Sequence, residues 1–274
     1  AIKIGVREMP PLLFSGVRFM LAGALMGAYT LASGRGFPAP GDRPSLALSA
    51  VLMLGVANSV LAWALIRVPS GLASLLVAMT PLWLVVLARS GGEPVSARGW
   101  AGVAVGLAGM FVLVRPAMSE AGPGGGVTAG ALALCLSTGV WAWGSLNTKR
   151  HPHSSDPIGA VAFQKLVGGA AAVAMGLASG EAGRWHPGPA GLGALLYLTF
   201  AGSIVGFTAF TYAMTHLPTE RVAVYAYVNP VVAVSLGLAL GGERLDAGLF
   251  LGAPLVLVSV WLANGGVNAS EPSV

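Results

Sequence analysis

Three basic side chains lie within apolar segments of this sequence, and they are its first candidates for chemistry: Lys3, Arg18 and Lys165. A charge inside a membrane is costly, so it indicates a substrate site or a gate, unless its long stem carries the charge to the membrane surface. Both interpretations stay open for Arg18 and Lys165. Lys3 recurs as Lys149 near the end of a second apolar segment, which favours an interfacial anchor.

A second group of candidates consists of amides, hydroxyls and aromatic rings within the apolar segments. Aromatic faces suit an apolar group or a cation, whereas amides and hydroxyls suit a zwitterion. Each of these side chains could also serve only in packing. The candidates for substrate contact are Asn58, Trp63, Thr80, Tyr212, Tyr227 and Asn229, together with Arg18.

Two prolines in the middle of apolar segments, Pro81 and Pro230, are candidate hinges. A proline leaves a carbonyl about one turn earlier without its donor, and a substrate ammonium or a neighbouring side chain could satisfy it. Thr80 and Asn229 precede the two prolines, so each could bond the local backbone or reach a cavity. A kink that serves packing alone is the alternative.

The acidic residues give an informative negative result. All ten Asp and Glu fall at predicted helix ends or in loops, so the sequence offers no buried carboxylate for a proton relay. Facilitated diffusion or exchange is therefore at least as plausible as proton antiport. The four histidines also avoid the helix interiors, and no metal-ligand spacing occurs. We expect no catalytic residue, metal or cofactor, and an intramembrane enzyme is a distant alternative.

The composition is that of a membrane protein. Hydrophobic residues make up 55% of the chain and charged residues 9%, against about 25% charged residues in a soluble domain. The net charge of +5 is spread over short loops, so we expect no nucleic-acid partner. The expected partners are the lipid bilayer and a small-molecule substrate.

The pattern of apolar stretches predicts an all-α polytopic membrane protein with ten helices, because a spanning helix needs about 20 apolar residues. The predicted helices are an incomplete first helix at 1–7, followed by 11–33, 46–66, 70–89, 98–115, 127–149, 157–179, 190–215, 219–240 and 247–264.

The ten helices form two copies of five. Pro11 recurs at Pro157, Pro81 recurs at Pro230, and Gly-Gly-Glu ending at Glu93 returns ending at Glu243. Five is an odd number, so consecutive copies must face opposite ways across the membrane. The predicted parts are a first repeat at 1–115, a linker at 116–126, a second repeat at 127–265 and a C-terminal tail at 266–274. Basic residues in the loops favour cytoplasmic termini in a bacterial inner membrane.

Short motifs run through both copies, and several of them recur in the same order. In the first copy they are Lys3, Pro11, Arg18 with Phe19, Pro69 to Pro81, Gly92 with Glu93, and Gly102, Gly106 and Gly109; in the second they are Trp143 with Gly144, Lys149, Pro157, Tyr212 with Ala213, Pro218 to Pro230, and Gly242 with Glu243. This order resembles the EamA family of the drug/metabolite transporter superfamily, and within it the exporters of amino acids and related metabolites.

The resemblance implies a transporter with a central cavity between inverted repeats, lined by the third, fourth, eighth and ninth helices. It also implies export of small amphipathic metabolites, amino acids first among them, by alternating access. Carriers of organic phosphates or nucleotide sugars belong to the same superfamily and are the alternative. They should show several basic residues at the cavity. Proton coupling, and the choice between monomer and homodimer, stay open.

Overall fold

The computed structural model describes residues 1–90, 96–120, 126–150, 156–216 and 247–267, and within them all regular secondary structure is helical. The helices are α1 (Ile2–Glu8), α2 (Pro11–Ala32), α3 (Arg43–Ala64), α4 (Ser70–Ala78 and Thr80–Ser90), α5 (Ala97–Glu120), α6 (Gly126–Arg150), α7 (Pro157–Ala178), α8 (Pro189–Tyr197, Leu198–Gly206 and Phe207–His216) and α9 (Ala247–Val267).

Five of these helices are long and apolar enough to cross a membrane, which agrees with the predicted class. They are Pro11–Ala32, Arg43–Ala64, Gly126–Thr148, Pro157–Ala178 and Pro189–Phe210. Proline occupies the first turn of α2, α3, α7 and α8, where its missing N–H has no carbonyl to bond. The prolines therefore start the spans rather than break them.

Two predicted boundaries change. The helix expected over 70–89 is interrupted at Met79, because Pro81 cannot donate to the carbonyl one turn earlier. The predicted linker 116–126 is helical as far as Glu120, since the loss of one hydrogen bond at Pro116 does not end the helix. The predicted helix 219–240 lies outside the described residues, and so does the tail after Val267.

The chain forms two compact units, and each contains parts of both sequence copies. The first unit comprises Ala1–Ile66 and Trp143–Pro218, and the second comprises the described parts of Arg67–Ala142 and Thr219–Val274. In the first unit, α2 packs along α7, and α3 and α8 pack beside them. In the second unit, α5 packs along α9, with α4 beside them.

The ends of α2 and α7 show that these equivalent helices run antiparallel. Glu181, after α7, accepts the backbone N–H groups of Leu12 and Leu13 at the start of α2, at 3.0 and 2.9 Å. Arg35, after α2, forms a 3.0 Å ion pair with Asp156, the residue that caps α7. Carboxylates at both sites complement the positive ends of the helix dipoles. Opposite directions of equivalent helices confirm the inverted repeats.

The second unit shows the same inversion between α5 and α9, which correspond to the fifth and the tenth of the predicted helices. A Cβ on Gly106 would lie 3.0 Å from the Ser259 hydroxyl, and one on Gly109 would lie 3.1 Å from the Val256 backbone N. Later residues of α5 therefore contact earlier residues of α9, so the two helices run antiparallel. Small residues let such helices approach closely in lipid.

Glycine also sets the spacing of α2 and α7, which leads to a prediction on stability. A Cβ on Gly169 would lie 2.8 Å from the Met20 backbone N and 3.1 Å from the Gly16 carbonyl oxygen. Because backbone cannot move aside cheaply, Gly169→Ala should destabilise the protein by about 1–3 kcal/mol. The measurement is the melting temperature of the purified protein in detergent.

Gly193 provides the matched control, because it lies in the second turn of α8 and a Cβ there would meet nothing within 4 Å. Gly193→Ala should leave the melting temperature unchanged or raise it slightly, since alanine favours a helix by up to about 1 kcal/mol. Equal melting temperatures for the two variants would show that the α2–α7 contact does not depend on glycine.

Helices α3 and α8 each contain a π-helical segment, Val51–Ala57 and Leu198–Gly206. Such widened turns are rare and frequently occur at functional sites. The first residues after the segments, Asn58 and Phe207, stand in equivalent positions of the two copies. Both copies therefore place the widened turn just before the same position.

Candidate functional site

Arg18 is a buried cation within a membrane-spanning helix. It lies on α2 about 10 Å beyond Pro11, counting 1.5 Å per residue, and its side chain is 6% exposed. Its Nη2 donates a 3.2 Å hydrogen bond to Oδ1 of Asn58, which follows the π-helical segment of α3. Its Nε is buried and has no hydrogen-bond partner. The guanidinium is therefore only partly satisfied.

Lys165 is a second buried cation, on the inverted partner helix α7, and is 1% exposed. Its Nζ lies 3.7 Å from the ring centroid of Phe207 and 4.6 Å from that of Phe19. Phe207 follows the π-helical segment of α8. Each cation thus sits on a spanning helix of one copy, and each contacts the residue after a widened turn of the same copy.

Both cations contact the same aromatic ring, that of Phe19. The guanidinium carbon of Arg18 lies 4.2 Å from the ring centroid of Phe19, and this is the ring that the Lys165 ammonium also contacts. We call Arg18, Lys165, Phe19, Phe207 and Asn58 the paired-cation cluster. All five residues belong to the first compact unit.

The paired-cation cluster is short of negative charge. Neither Arg18 nor Lys165 forms an ion pair with an Asp or Glu in the described part of the chain. Burial costs several kcal/mol per ion, whereas a desolvated cation–π contact returns about 2 kcal/mol. The rings therefore offset only part of the cost. The arrangement is chemically suited to receive an anion.

Two buried hydroxyls near the cluster also lack partners. Ser59 and Thr208 follow Asn58 and Phe207 directly, so they occupy equivalent positions in the two copies. Their hydroxyl oxygens and the Arg18 Nε are the buried side-chain polar atoms without a hydrogen-bond partner among the described residues. Buried polar atoms are normally paired, so an unpaired set suggests an absent ligand or water.

The structure brings together only some of the residues predicted for the site. Arg18 and Asn58 are joined by a hydrogen bond. Trp63 lies half-buried on α3, five residues beyond Asn58. Tyr212, its equivalent on α8, is 60% exposed. The remaining predicted residues of the second copy, Tyr227, Asn229 and Pro230, lie outside the described residues.

Thr80 uses its hydroxyl on the local backbone. The hydroxyl donates a 2.6 Å hydrogen bond to the carbonyl of Val77, the group that Pro81 deprives of its usual donor. Of the two roles considered for Thr80, the described structure shows this one. Thr80 belongs to the second unit, and the break at Met79 directly precedes it.

Two members of the paired-cation cluster, Phe19 and Phe207, were not among the predicted site residues, whereas Lys165 was predicted as a charge within an apolar segment whose role stayed open. Phe207 had a usable signal, since it stands at the position equivalent to Asn58. Phe19 directly follows Arg18, which gives no reason to expect that it touches both cations. No group of three or more metal-ligating side chains occurs in the part of the chain that could be searched.

Spanning helices in two inverted copies, with buried charges and amides inside the spans, define a membrane transporter. The sequence model of the EamA-like transporter family matches residues 1–115 and 128–265. This chain belongs to that family, and it is a multi-pass protein of the inner membrane.

Known proteins similar to this chain support the same family. An Escherichia coli K12 protein called "Uncharacterized inner membrane transporter YedA" is 36% identical over 270 residues, 97% of this chain and 85% of its own length. A "Probable amino-acid metabolite efflux pump" of the same organism is 29% identical over 281 residues, 95% of this chain and 88% of its own length.

A solved crystal structure shares the fold. It matches with a TM-score of 0.70 and 22% identity, over the whole of this chain and 93% of that chain. At this identity the likeness concerns the fold alone.

Proposed function

We propose that the protein exports small amphipathic metabolites, foremost amino acids, by alternating access between its inverted repeats. The hydrogen bond between Arg18 and Asn58, inside the spans and against the Phe19 ring, carries the proposal. It provides polar groups for a zwitterion beside an aromatic face for an apolar body, the mixture typical of small-molecule sites. The similarity to a probable amino-acid metabolite efflux pump supports the same substrate class.

The direct test is release of labelled amino acids from proteoliposomes that contain the full-length protein. The proposal predicts saturable release that particular unlabelled amino acids inhibit by competition. A pH gradient imposed on the same vesicles should leave net accumulation unchanged if transport is by facilitated diffusion or exchange. Release of no amino acid above the rate of empty vesicles would overturn the proposal.

Carriers of organic phosphates or nucleotide sugars are the second candidate, and one observation favours them. Arg18 and Lys165 both contact the ring of Phe19, and a doubly charged phosphate would neutralise both side chains. Labelled glycerol 3-phosphate and UDP-glucose therefore belong in the same release assay. Release of either compound in place of amino acids would select this candidate.

In the proposed alternating-access motion, the equivalent prolines Pro81 and Pro230 act as hinges. Where α4 is interrupted before Pro81, one backbone hydrogen bond is missing and Thr80 replaces it with a side-chain bond. Replacing both prolines with alanine should slow export several-fold while substrate binding is retained, because a continuous helix resists bending. The measurement is the initial rate of release alongside the dissociation constant.

Pro254→Ala is the control for this prediction. Pro254 lies inside α9 and has no equivalent proline in the first copy. Its replacement should leave the export rate within about twofold of the wild-type rate. An unchanged rate in the double variant would show that the two prolines are not hinges.

A further inference from the structure

We infer that Arg18 and Lys165 together bind the acidic group of the transported metabolite, so that an oxyanion is a requirement for transport. This inference rests on the proposed function for the claim that the ligand is a transported metabolite. It adds the chemical group that must be recognised and the two side chains that recognise it.

The first argument is the convergence of two cations from opposite copies. Arg18 and Lys165 lie on antiparallel helices, each about a third of the way along its span, and both contact the ring of Phe19. Two like charges repel each other when they share a buried site. A ligand anion between the two side chains would relieve this repulsion.

The second argument is that the described residues do not supply that opposite charge. Two carboxylates of the first unit that contact α2 and α7 are used at helix ends: Glu181 bonds the start of α2, and Asp156 caps α7. The side chain that accepts a hydrogen bond from the Arg18 guanidinium is a neutral amide, Asn58. A ligand anion is thus the partner that the cluster lacks.

The third argument is the set of open donors. The Arg18 Nε N–H is buried without an acceptor, and an arginine fork binds carboxylates and phosphates through paired N–H groups. Ser59 and Thr208 provide two further hydroxyls without partners, one beside each widened turn. Only an acceptor can satisfy a guanidinium N–H, so the missing ligand group carries lone pairs.

The aromatic rings explain why the lysine stays in place when the ligand leaves. Phe207 and Phe19 hold the Lys165 ammonium at 3.7 and 4.6 Å from their centroids. These contacts are weaker than a buried ion pair, so they permit an anion to bind and to leave. A carrier needs such reversible binding.

The experiment measures ligand-induced changes in the melting temperature of the full-length protein in detergent. The probes are the twenty protein amino acids, the corresponding amino-acid amides, inorganic phosphate, glycerol 3-phosphate and UDP-glucose. The amide keeps the ammonium and the side chain of an amino acid but has no α-carboxylate. We expect stabilisation by one or more amino acids, and at least a tenfold higher concentration of the matching amide for the same shift.

The variants for this experiment separate charge from packing. Arg18→Met and Lys165→Met should lose the ligand-induced shift, whereas Arg18→Lys and Lys165→Arg should keep part of it. Arg98→Met is the matched control, because Arg98 lies over the Trp261 ring at 4.1 Å in the second unit. Its shift should equal that of the wild type. If the methionine variants do not fold, the charge-retaining variants and the amides still decide the result.

Each outcome decides between the two claims. Stabilisation by phosphate compounds alone, lost in the methionine variants, would keep the oxyanion site and overturn amino-acid export. Stabilisation by amino acids and their amides equally, or unaltered in the methionine variants, would keep the proposed function and overturn the oxyanion site. No stabilisation by any probe in the wild type would overturn the site.

Discussion

Asn58→Asp is expected to reduce export at least tenfold while raising the melting temperature of the protein. The carboxylate would stand where Asn58 Oδ1 now lies, 3.2 Å from Nη2 of Arg18. It would give the buried guanidinium a permanent counter-ion, and pairing a buried charge is worth several kcal/mol, which exceeds the loss of about 1 to 3 kcal/mol from the 3.2 Å hydrogen bond that Asn58 Nδ2 now donates to the Met53 carbonyl. The same carboxylate would occupy the Arg18 guanidinium, which the acidic group of the substrate needs for binding. A tenfold loss of affinity corresponds to about 1.4 kcal/mol.

The opposite directions of these two effects make the variant informative. If the Arg18–Asn58 pair served packing alone, a better pair would stabilise the protein and leave export intact. Both quantities are measured on one preparation, by thermal unfolding in detergent and by release from proteoliposomes. Wild-type export by Asn58→Asp would therefore contradict a substrate role for Arg18.

Asn147→Asp is the matched control in the same unit. The Nδ2 of Asn147 donates to the hydroxyl oxygens of Ser45 and Ser49 at 3.1 and 2.9 Å. The same Nδ2 also donates to the Ser45 carbonyl at 3.2 Å, and a carboxylate has no N–H for that group, so this replacement should lower the melting temperature. Export per folded protein should stay near the wild-type rate. The comparison separates the effect of any added carboxylate from that of one placed beside Arg18.

Deleting Val56 from the π-helical segment of α3 is expected to abolish both ligand binding and export. The removal of one residue from a helix rotates the later part of that helix by about 100° and shifts it by about 1.5 Å. Within a π-helical segment the widened turn absorbs most of this change by closing to an α-helical turn, so the rest of α3 keeps its packing partners while Asn58 loses the place beside Arg18 that the widened turn gives it. Deleting Val205 from the segment of α8 should have the same effect through Phe207 and Lys165.

Deleting Gly41 is the control for these deletions. Gly41 lies in the turn between α2 and α3, and a Cβ there would meet nothing within 4 Å. This variant should bind and export as the wild type does. Ligand-induced stabilisation and release rates are the measurements. Normal binding by the Val56 and Val205 deletions would show that the widened turns do not position the cluster.

The architecture could be predicted from the sequence because it depends on long, regular features. Apolar length gives the spans, and the odd number of helices in each copy gives the inversion that the antiparallel α2 and α7 show. The detail at Pro81 could be only partly anticipated. A proline removes a donor in any helix, but the Thr80 hydroxyl had two possible uses, and only three-dimensional geometry decides between them.

The paired-cation cluster could not be predicted from the spacing of the repeats. When the two copies are aligned through Pro11 and Pro157, the residue equivalent to Arg18 is Gln164 and not Lys165. On a helix a shift of one residue turns a side chain by about 100°, so an alignment that is one residue uncertain cannot say which side chain faces a neighbour. The contact with Phe19 depends on this rotation.

The π-helical segments have no comparable sequence signal. Val51–Ala57 consists of apolar residues and Leu198–Gly206 adds only Thr199 and Ser203, a composition that is ordinary for a membrane helix. The equivalence of Trp63 and Tyr212 was similarly insufficient, since Trp63 is half-buried and Tyr212 is exposed. Equivalent positions in two copies share a place in the fold but not the neighbours that surround it.

The most direct test of this account is the release of an amino acid and of its amide from the same preparation of proteoliposomes. The account predicts saturable release of the amino acid and at least tenfold slower release of the amide, because only the carboxylate can join Arg18 and Lys165. Release of both compounds at equal rates would contradict it, since the paired-cation cluster would then not recognise the substrate.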